Sequence, residues 1–179
     1  MLRIKNCHNC DLYKNQKPLL QNRFNNTDVM FVGLSAVKTD SVLYDEPFSK
    51  TSKSGGLLRG IAKSIPEHKI YFTNMVKCLP LLNDKIRYPN SKELSACFQN
   101  LEIEIDEIKP KKIVLFGKKT SSFVSKRFNL KFNNKGFVFP VSEYKGIKFM
   151  DAYHPSYILI YKRNSIFEYK KNIVDFINS

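Results

Sequence analysis

The sequence predicts an α/β protein, a three-layer αβα sandwich around a central, mostly parallel sheet, and three observations carry that prediction. Short apolar runs at residues 29–32, 70–73 and 113–116 have the length and composition of fully buried strands. The stretches between them carry apolar residues at helical spacing and end on proline or glycine. Strands that alternate with helices at crossover spacing pair in parallel and place helices on the sheet faces.

In chain order, residues 1–27 contain a Cys-x-x-Cys and many polar residues, and read as a loop or short helix anchored by something other than a core. The first strand runs straight into Gly33. Residues 34–56 form a long polar stretch, and a loop of that length inside a compact domain is usually functional. Leu57, Leu58, Ile61 and Ala62 space as the buried face of a helix that ends before Pro66. The second strand, 70–73, leads into a turn at 74–80. Asn90 caps the next helix, with Glu93 completing a capping box. Leu94, Cys97, Phe98, Leu101, Ile105 and Ile108 recur along it until Pro110. The third strand ends at Gly117 with a helical stretch behind it. Residues 137–150 alternate around Pro140 and Lys145-Gly146 like a hairpin or two strands. Residues 150–153 lead into His154-Pro155-Ser156, and a basic amphipathic helix closes the chain. There is no internal repeat, so residues 1–179 read as one domain with an N-terminal cysteine-bearing segment. The polar loops 34–56, 74–90 and 154–165 all follow strands. In open α/β sheets ligands bind beyond the carboxyl ends of the strands, so these loops are expected to share one ligand-binding face.

Charge narrows the partner. Thirty Lys and Arg against sixteen Asp and Glu leave a net charge of +14, which suits a polyanion, either nucleic acid or an anionic membrane surface. No apolar run approaches the ~18 residues of a membrane span, and the N-terminus lacks the apolar region of a signal peptide. The expectation is a cytoplasmic, nucleoid-associated protein with no membrane partner. Its Lys, Asn and Ile richness fits an AT-rich bacterial or phage genome. Nine Tyr and fourteen Phe supply stacking surface.

Four cysteines in a reducing compartment point to metal rather than disulfides. Cys7 and Cys10 are spaced so that two thiolates reach one centre, whereas Cys78 and Cys97 are single. A zinc ribbon would pair the last two as well. Four thiolates at irregular spacing fit a [4Fe–4S] cluster at least equally. Spacing leaves the choice of metal open, and it also admits Cys97 as a core residue with Cys78 an idle thiol.

The order of these features resembles the family 4 (iron–sulfur) uracil-DNA glycosylases. The resemblance runs through Cys7-x-x-Cys10, Gly33, Pro47-Phe48, residues 54–58, the TNMVKC of 73–78, a helical Cys97, residues 110–117 and His154-Pro155-Ser156. It covers nearly the whole chain and implies the uracil-glycosylase fold. It also implies a [4Fe–4S] cluster on Cys7, Cys10, Cys78 and Cys97, and base excision from DNA with no catalytic metal. By the same resemblance His154 stabilises the developing oxyanion, Asn74 reads the base edge, and Phe48 stacks on the flipped base, with Gly33 and Ser35 beside them.

Residue chemistry points the same way. Cleaving an N-glycosidic bond leaves a pyrimidine anion, and a donor such as His154 aimed at its carbonyl oxygen is the main aid. Asn74 offers a donor and an acceptor in one side chain. Lys50, Lys53, Arg59, Lys77, Lys162, Arg163, Lys170 and Lys171 are candidates for phosphate contacts on single- or double-stranded DNA. The first motif departs from the family pattern. Where that family typically has Gly-Glu-x-Pro-Gly, this chain has Gly33-Leu34-Ser35-Ala36-Val37. Asp40 is then the carboxylate nearest to the family's acidic stretch, with Asp45 and Glu46 behind it, and Ser35 is a second group able to orient water.

The leading expectation is a monomeric, monofunctional glycosylase acting on uracil or another deaminated or modified pyrimidine. A non-catalytic iron–sulfur nucleic-acid-binding protein on the same fold is the alternative, and a zinc-stabilised RNA-binding or regulatory module is the third reading.

Overall fold

A computed structural model describes residues 2–21, 26–42, 45–132 and 139–179. Parts of the predicted N-terminal segment (22–25), of the long loop (43–44) and of the 137–150 hairpin fall outside the described residues. Helix α1 (Leu2–Lys5) and a 3₁₀ turn (Asp11–Lys14) precede β1 (Val29–Ser35), α2 (Lys53–Lys63) and β2 (Ile70–Val76). A small hairpin, β3 (Leu81–Leu82) and β4 (Lys85–Ile86), leads to α3 (Ser91–Ile108), β5 (Lys112–Phe116) and α4 (Lys118–Phe128). The chain closes with β6 (Val141–Tyr144), β7 (Ile147–Ala152), α5 (Pro155–Tyr161), a 3₁₀ turn (Arg163–Ser165) and α6 (Ile166–Asn178).

Among the described residues the main sheet has five strands in the order β2-β1-β5-β7-β6. The first four run parallel, and β6 is antiparallel to β7 through the Lys145-Gly146 turn. Alternation along each strand sends side chains to two cores. Phe31, Phe72, Val114 and Phe116 pack against Leu58, Ile61, Ile158 and Ile173 of α2, α5 and α6. Met30, Val32, Tyr71 and Leu115 pack against Phe98, Leu101 and Val124 of α3 and α4. These are the three layers predicted. The αα-faced parallel strands are buried on both sides, which is why they read as unbroken apolar runs.

Local chemistry sets the helix ends. Asn90 and Glu93 form the predicted reciprocal capping box at the start of α3. Ser52 caps α2 by accepting from the Gly55 N–H.

Four expectations need correction. The N-terminal segment is anchored by core after all, because Ile4, Leu12, Leu19 and Leu20 are buried. It lies along the free edge of β2, where the Leu19 N–H donates to Lys77 O, the Asn15 amide to Leu79 O, and the Phe72 N–H to the Gln21 side chain. A covered edge strand no longer invites pairing with another chain. Secondly, β1 and β2 each run past the predicted ends, so Gly33 and Asn74 are strand residues and not turn residues. Thirdly, residues 71–80 are all buried, so only the later part of the 74–90 loop is a polar surface. Fourthly, 154–165 is mostly helix, with α5 and a 3₁₀ turn in place of a loop.

Candidate active site

The parallel register puts Gly33 directly opposite Asn74, at the carboxyl ends of β1 and β2. Both point toward the α2 side of the sheet, where Phe48 lies. A Cβ on Gly33 would come within 2.4 Å of Asn74 Oδ1 and 2.6 Å of Phe48 Cζ. Only a residue with no side chain lets the amide and the ring close over the strand. Ser35 is on the same face of β1, whereas alternation turns Leu34 toward the α3–α4 side.

Phe48 is held in an unusual place. Its φ of 53° is in the left-handed region, which a bulky side chain rarely adopts. Arg59 fixes it: Nε donates to Phe48 O, Nη2 donates to Pro47 O and pairs with Glu46, and the guanidinium lies 4.1 Å over the Phe72 ring. Gly55 allows the approach, since a Cβ there would sit 2.0 Å from Ser49 O. Arg59 is therefore the fastener of the site loop, with Nε and Nη2 committed inside the protein rather than to the predicted phosphate contact.

Lys77 is corrected for a stronger reason. It is fully buried, and its ammonium pairs with the equally buried Glu104 of α3. It also donates to Thr73 Oγ1 and to the Asn74 carbonyl. The Tyr71 hydroxyl donates to the same carboxylate, and burial together with that charge pushes its pKa well up. This polar network lies behind the strand that presents Asn74.

His154 stands two residues beyond β7. The ends of β2, β1, β5 and β7 are side by side, so Asn74 and His154 flank an edge three strand spacings wide, roughly 14 Å. Gly117, at φ +93°, passes close to the ring; a Cβ there would meet His154 Cβ at 3.2 Å. His154 is the N-cap of α5, and its Nδ1 accepts from the Ser156 N–H at 3.2 Å and faces Ser156 Oγ at 2.7 Å. Burial pushes its pKa below the ordinary value, so the ring is neutral at pH 7. With Nδ1 accepting, the proton is on Nε2, so Nε2–H is the donor the ring has to offer.

Of the other candidates, Asp40 is exposed at a bend and joins no ion pair among the described residues. Asp45 is bonded to the Thr39 hydroxyl, and Glu46 is taken by Arg59. Lys50, Lys53, Lys162 and Arg163 are exposed, and Lys171 is paired with Asp175. Gln16 ties the beginning of the long loop to the N-terminal segment by donating to Val37 O and accepting from the Thr39 N–H.

The four cysteines line one small pocket with Tyr13, Val76 and Asn100. Asn100 Nδ2 donates to Cys7 Sγ at 3.3 Å and to Cys97 Sγ at 3.6 Å, and the Lys77 N–H points at Cys97 Sγ at 3.4 Å. Burial raises Cys10 and Cys97, and burial with the neighbouring thiols pushes Cys78 up to about 12. Among the described residues no group of three His, Cys, Asp or Glu side chains is arranged for a metal ion. A separate cavity of about 570 Å³, lined by Ile105, Lys109, Phe128 and Tyr144 among others, lies at the opposite end of the sheet.

Sequence reasoning missed Glu104 as part of this site, read Arg59 only as a phosphate contact, and gave Ser156 only as part of the His154-Pro155-Ser156 motif. Glu104 carried a readable signal, being an acid on the apolar face of α3 between Leu101 and Ile105.

Residues 21–178 match the Uracil DNA glycosylase superfamily, and the chain belongs to it. Within that class the chain is similar to Type-4 uracil-DNA glycosylases. It is 32% identical over 164 residues to the Type-4 uracil-DNA glycosylase of Archaeoglobus fulgidus, covering 87% of this chain and 79% of that one. It is 29% identical over 169 residues to the Type-4 uracil-DNA glycosylase of Thermotoga maritima, covering 92% and 83%. The crystal structure of Pedobacter heparinus SMUG2 has the same fold, with a TM-score of 0.58 at 15% identity over 85% of this chain and 75% of that one.

Proposed function

We propose that this chain is a DNA glycosylase that removes uracil, or a related deaminated or modified pyrimidine, by hydrolysing the N-glycosidic bond of a base flipped out of DNA. The observation that carries the reading is the sheet edge where Gly33, Asn74 and Phe48 meet and a neutral His154 stands opposite. Phe48 offers a flat face to the extruded base. The Asn74 amide, with one donor and one acceptor group, matches the N3–H and O4 edge of uracil. Breaking C1′–N1 leaves the bonding electrons on the base, and negative charge gathers on a carbonyl oxygen. His154 Nε2–H is the donor for that oxygen. Water adds its oxygen to C1′, and the products are an abasic sugar and the free base. Asp40 and Ser35 are the groups proposed to orient that water.

Lys50, Lys53, Lys162 and Arg163 are proposed to hold phosphates of single- or double-stranded DNA, each worth about 0.9 in the salt slope on duplex. Cys7, Cys10, Cys78 and Cys97 would hold a [4Fe–4S] cluster. The donor set supports it: four thiols share one pocket, two N–H groups point at sulfur, and burial that raises Cys10, Cys78 and Cys97 is offset when a cation replaces their protons. When bound, the cluster supplies a cross-link between the N-terminal segment, β2 and α3.

The test is single-turnover incubation with an oligonucleotide containing one uracil, alongside a panel of modified bases, scored for abasic sites. Abasic sites at uracil or another pyrimidine are expected. Tight binding without cleavage of any base would instead identify a non-catalytic binding protein.

A further inference from the structure

Two tyrosines on α5 continue a line that starts at Tyr153, just before the helix. Tyr153 precedes His154, and Tyr157 and Tyr161 follow at four-residue steps, the spacing that puts side chains in line on one helix face. Their ring centroids are 5.3 Å and 5.4 Å apart, with interplanar angles of 42° and 41°. The outer rings are open to solvent, Tyr157 at 40% and Tyr161 at 70%, and Ile160 on the same helix is 62% exposed. Single exposed apolar residues are ordinary, but a continuous strip of them marks an interaction surface. The other face of α5 explains its own residues, since Pro155 and Ile158 are buried. Tyr153 packs against the core beside Phe139, whereas Tyr157 and Tyr161 turn outward and belong to no core cluster among the described residues.

The charge around the strip selects its partner. α5 carries no acidic residue, and Lys162 and Arg163 follow it in exposed positions. Arg163 Nε donates to Leu159 O, which anchors the side chain while leaving its terminal nitrogens available. Glu168 and Asp175 are the exposed acids on the next helix, Asp175 paired with Lys171, and the chain as a whole is at +14. Rings flanked by cations fit a strand whose bases have faces to offer and whose backbone carries phosphates. A duplex keeps its base faces stacked and paired, so only a single strand satisfies both.

We propose that Tyr157 and Tyr161, in line with Tyr153, form a stacking platform for unpaired DNA bases next to the one held at His154. The platform makes single-stranded DNA the preferred partner. This rests on the nucleic-acid reading above but not on excision.

The test uses a thymidine oligonucleotide and the same oligonucleotide in a duplex, neither containing uracil, with affinity read by fluorescence anisotropy across a salt series. The wild type is expected to bind the single strand more tightly. Tyr157→Ala/Tyr161→Ala should lower that affinity on the order of thirty-fold or more, from stacking of about 1–3 kcal/mol at each of two bases, and change duplex affinity little. The salt slope should stay unchanged, because a ring neutralises no phosphate. Tyr157→Phe/Tyr161→Phe should bind like wild type. As a check that does not rely on truncation, 2-aminopurine in the strand should be quenched by wild type and less so by Tyr157→Leu/Tyr161→Leu. Unchanged single-strand affinity in the alanine variant, or an equal loss on duplex, overturns the proposal. So does a wild-type dimer that the alanine variant splits, since the strip would then be an interface between copies. Uracil excision from duplex that persists in the alanine variant leaves the glycosylase reading intact whatever becomes of the platform.

Discussion

Lys77 and Glu104 bury their charges against each other, both side chains removed from solvent, directly behind the strand that presents Asn74. Lys77 also reaches the Asn74 carbonyl through its side chain and Cys97 through its backbone N–H. One residue thus joins three parts of the molecule: helix α3, the Asn74 end of β2 and the cysteine pocket. A pair in this position holds geometry at a large desolvation cost.

Removing one partner should therefore be far worse than removing both. Lys77→Met leaves an unpaired buried carboxylate and should cost about 3–5 kcal/mol of stability. Lys77→Met/Glu104→Gln should recover much of that loss. Urea unfolding of wild type, single and double variants measures it. A double variant as unstable as the single one would show that the charges are not coupled.

Gly33 makes a sharper prediction about the site than about the fold. Gly33→Ala adds one methyl into space already taken by Asn74 Oδ1 and Phe48 Cζ. The variant should fold, with the amide and ring displaced, and lose on the order of ten-fold or more in single-turnover excision, because small misplacements of positioned groups are costly. Wild-type kinetics with Ala at this position would mean that the close approach does not matter.

How far the sequence could be read depends on whether the partners are local. The capping box of Asn90 and Glu93 lies within one helical turn and is visible as a pattern. The strands at Gly33 and Gly117 are visible because burial on both faces makes them continuously apolar. Lys77 and Arg59 were read as surface charges because a lysine or arginine looks the same in a count whether it meets phosphate or a carboxylate. Glu104, the partner of Lys77, is on another element and meets it only in the fold. The N-terminal anchors Ile4, Leu12, Leu19 and Leu20 have no regular period, since they follow an irregular path along β2. The left-handed Phe48 was invisible because local propensity argues against it, and only Arg59 and Gly55 make it stable.

His154 ties activity to pH. Its folded pKa is lowered by burial, so between that value and the ordinary ~6.5 the unfolded chain binds more protons than the folded one. The stability from a neutral His154 is complete above about pH 6.5 and is lost as pH falls through the depressed folded value. Protonation also puts a proton on Nδ1, which ends its acceptance from Ser156. Excision should fall with acid in the same window, with a midpoint below the ordinary histidine value. Ser156→Ala should move that midpoint, and His154→Ala should cut the single-turnover rate by about 10²–10³ while DNA affinity holds. An unchanged rate in His154→Ala would remove its role.

The cysteine pocket gives a compositional test. Protein made anaerobically should carry iron and sulfide and absorb near the visible edge as iron–sulfur proteins do. Replacing Cys7, Cys10, Cys78 or Cys97 by Ala, or stripping the metal, should lower the unfolding temperature. Zinc without iron in the anaerobic preparation would exclude the cluster.

The first motif leads to the last prediction, that uracil release is slow. The resembled family carries an acidic residue where this chain has Leu34, and a leucine can neither accept a proton from water nor offset a sugar cation. Strand alternation also turns that side chain away from Gly33 and Asn74, so nothing at position 34 replaces the lost carboxylate. Nearby acids are mostly committed, Asp45 to Thr39 and Glu46 to Arg59. Asp40 remains, exposed on a segment whose start is pinned by Gln16. A positioned acid or base is worth on the order of 10²–10⁴ in rate, which sets the scale of the expected deficit against the Archaeoglobus fulgidus relative. Asp40→Asn should slow release further if Asp40 supplies part of that function, with binding of a non-cleavable analogue unchanged. The comparison is made by single-turnover rates on one uracil oligonucleotide for the relative, the wild type and Asp40→Asn. Release as fast as the relative's, and undiminished in Asp40→Asn, would mean that neither the missing carboxylate nor Asp40 governs the rate.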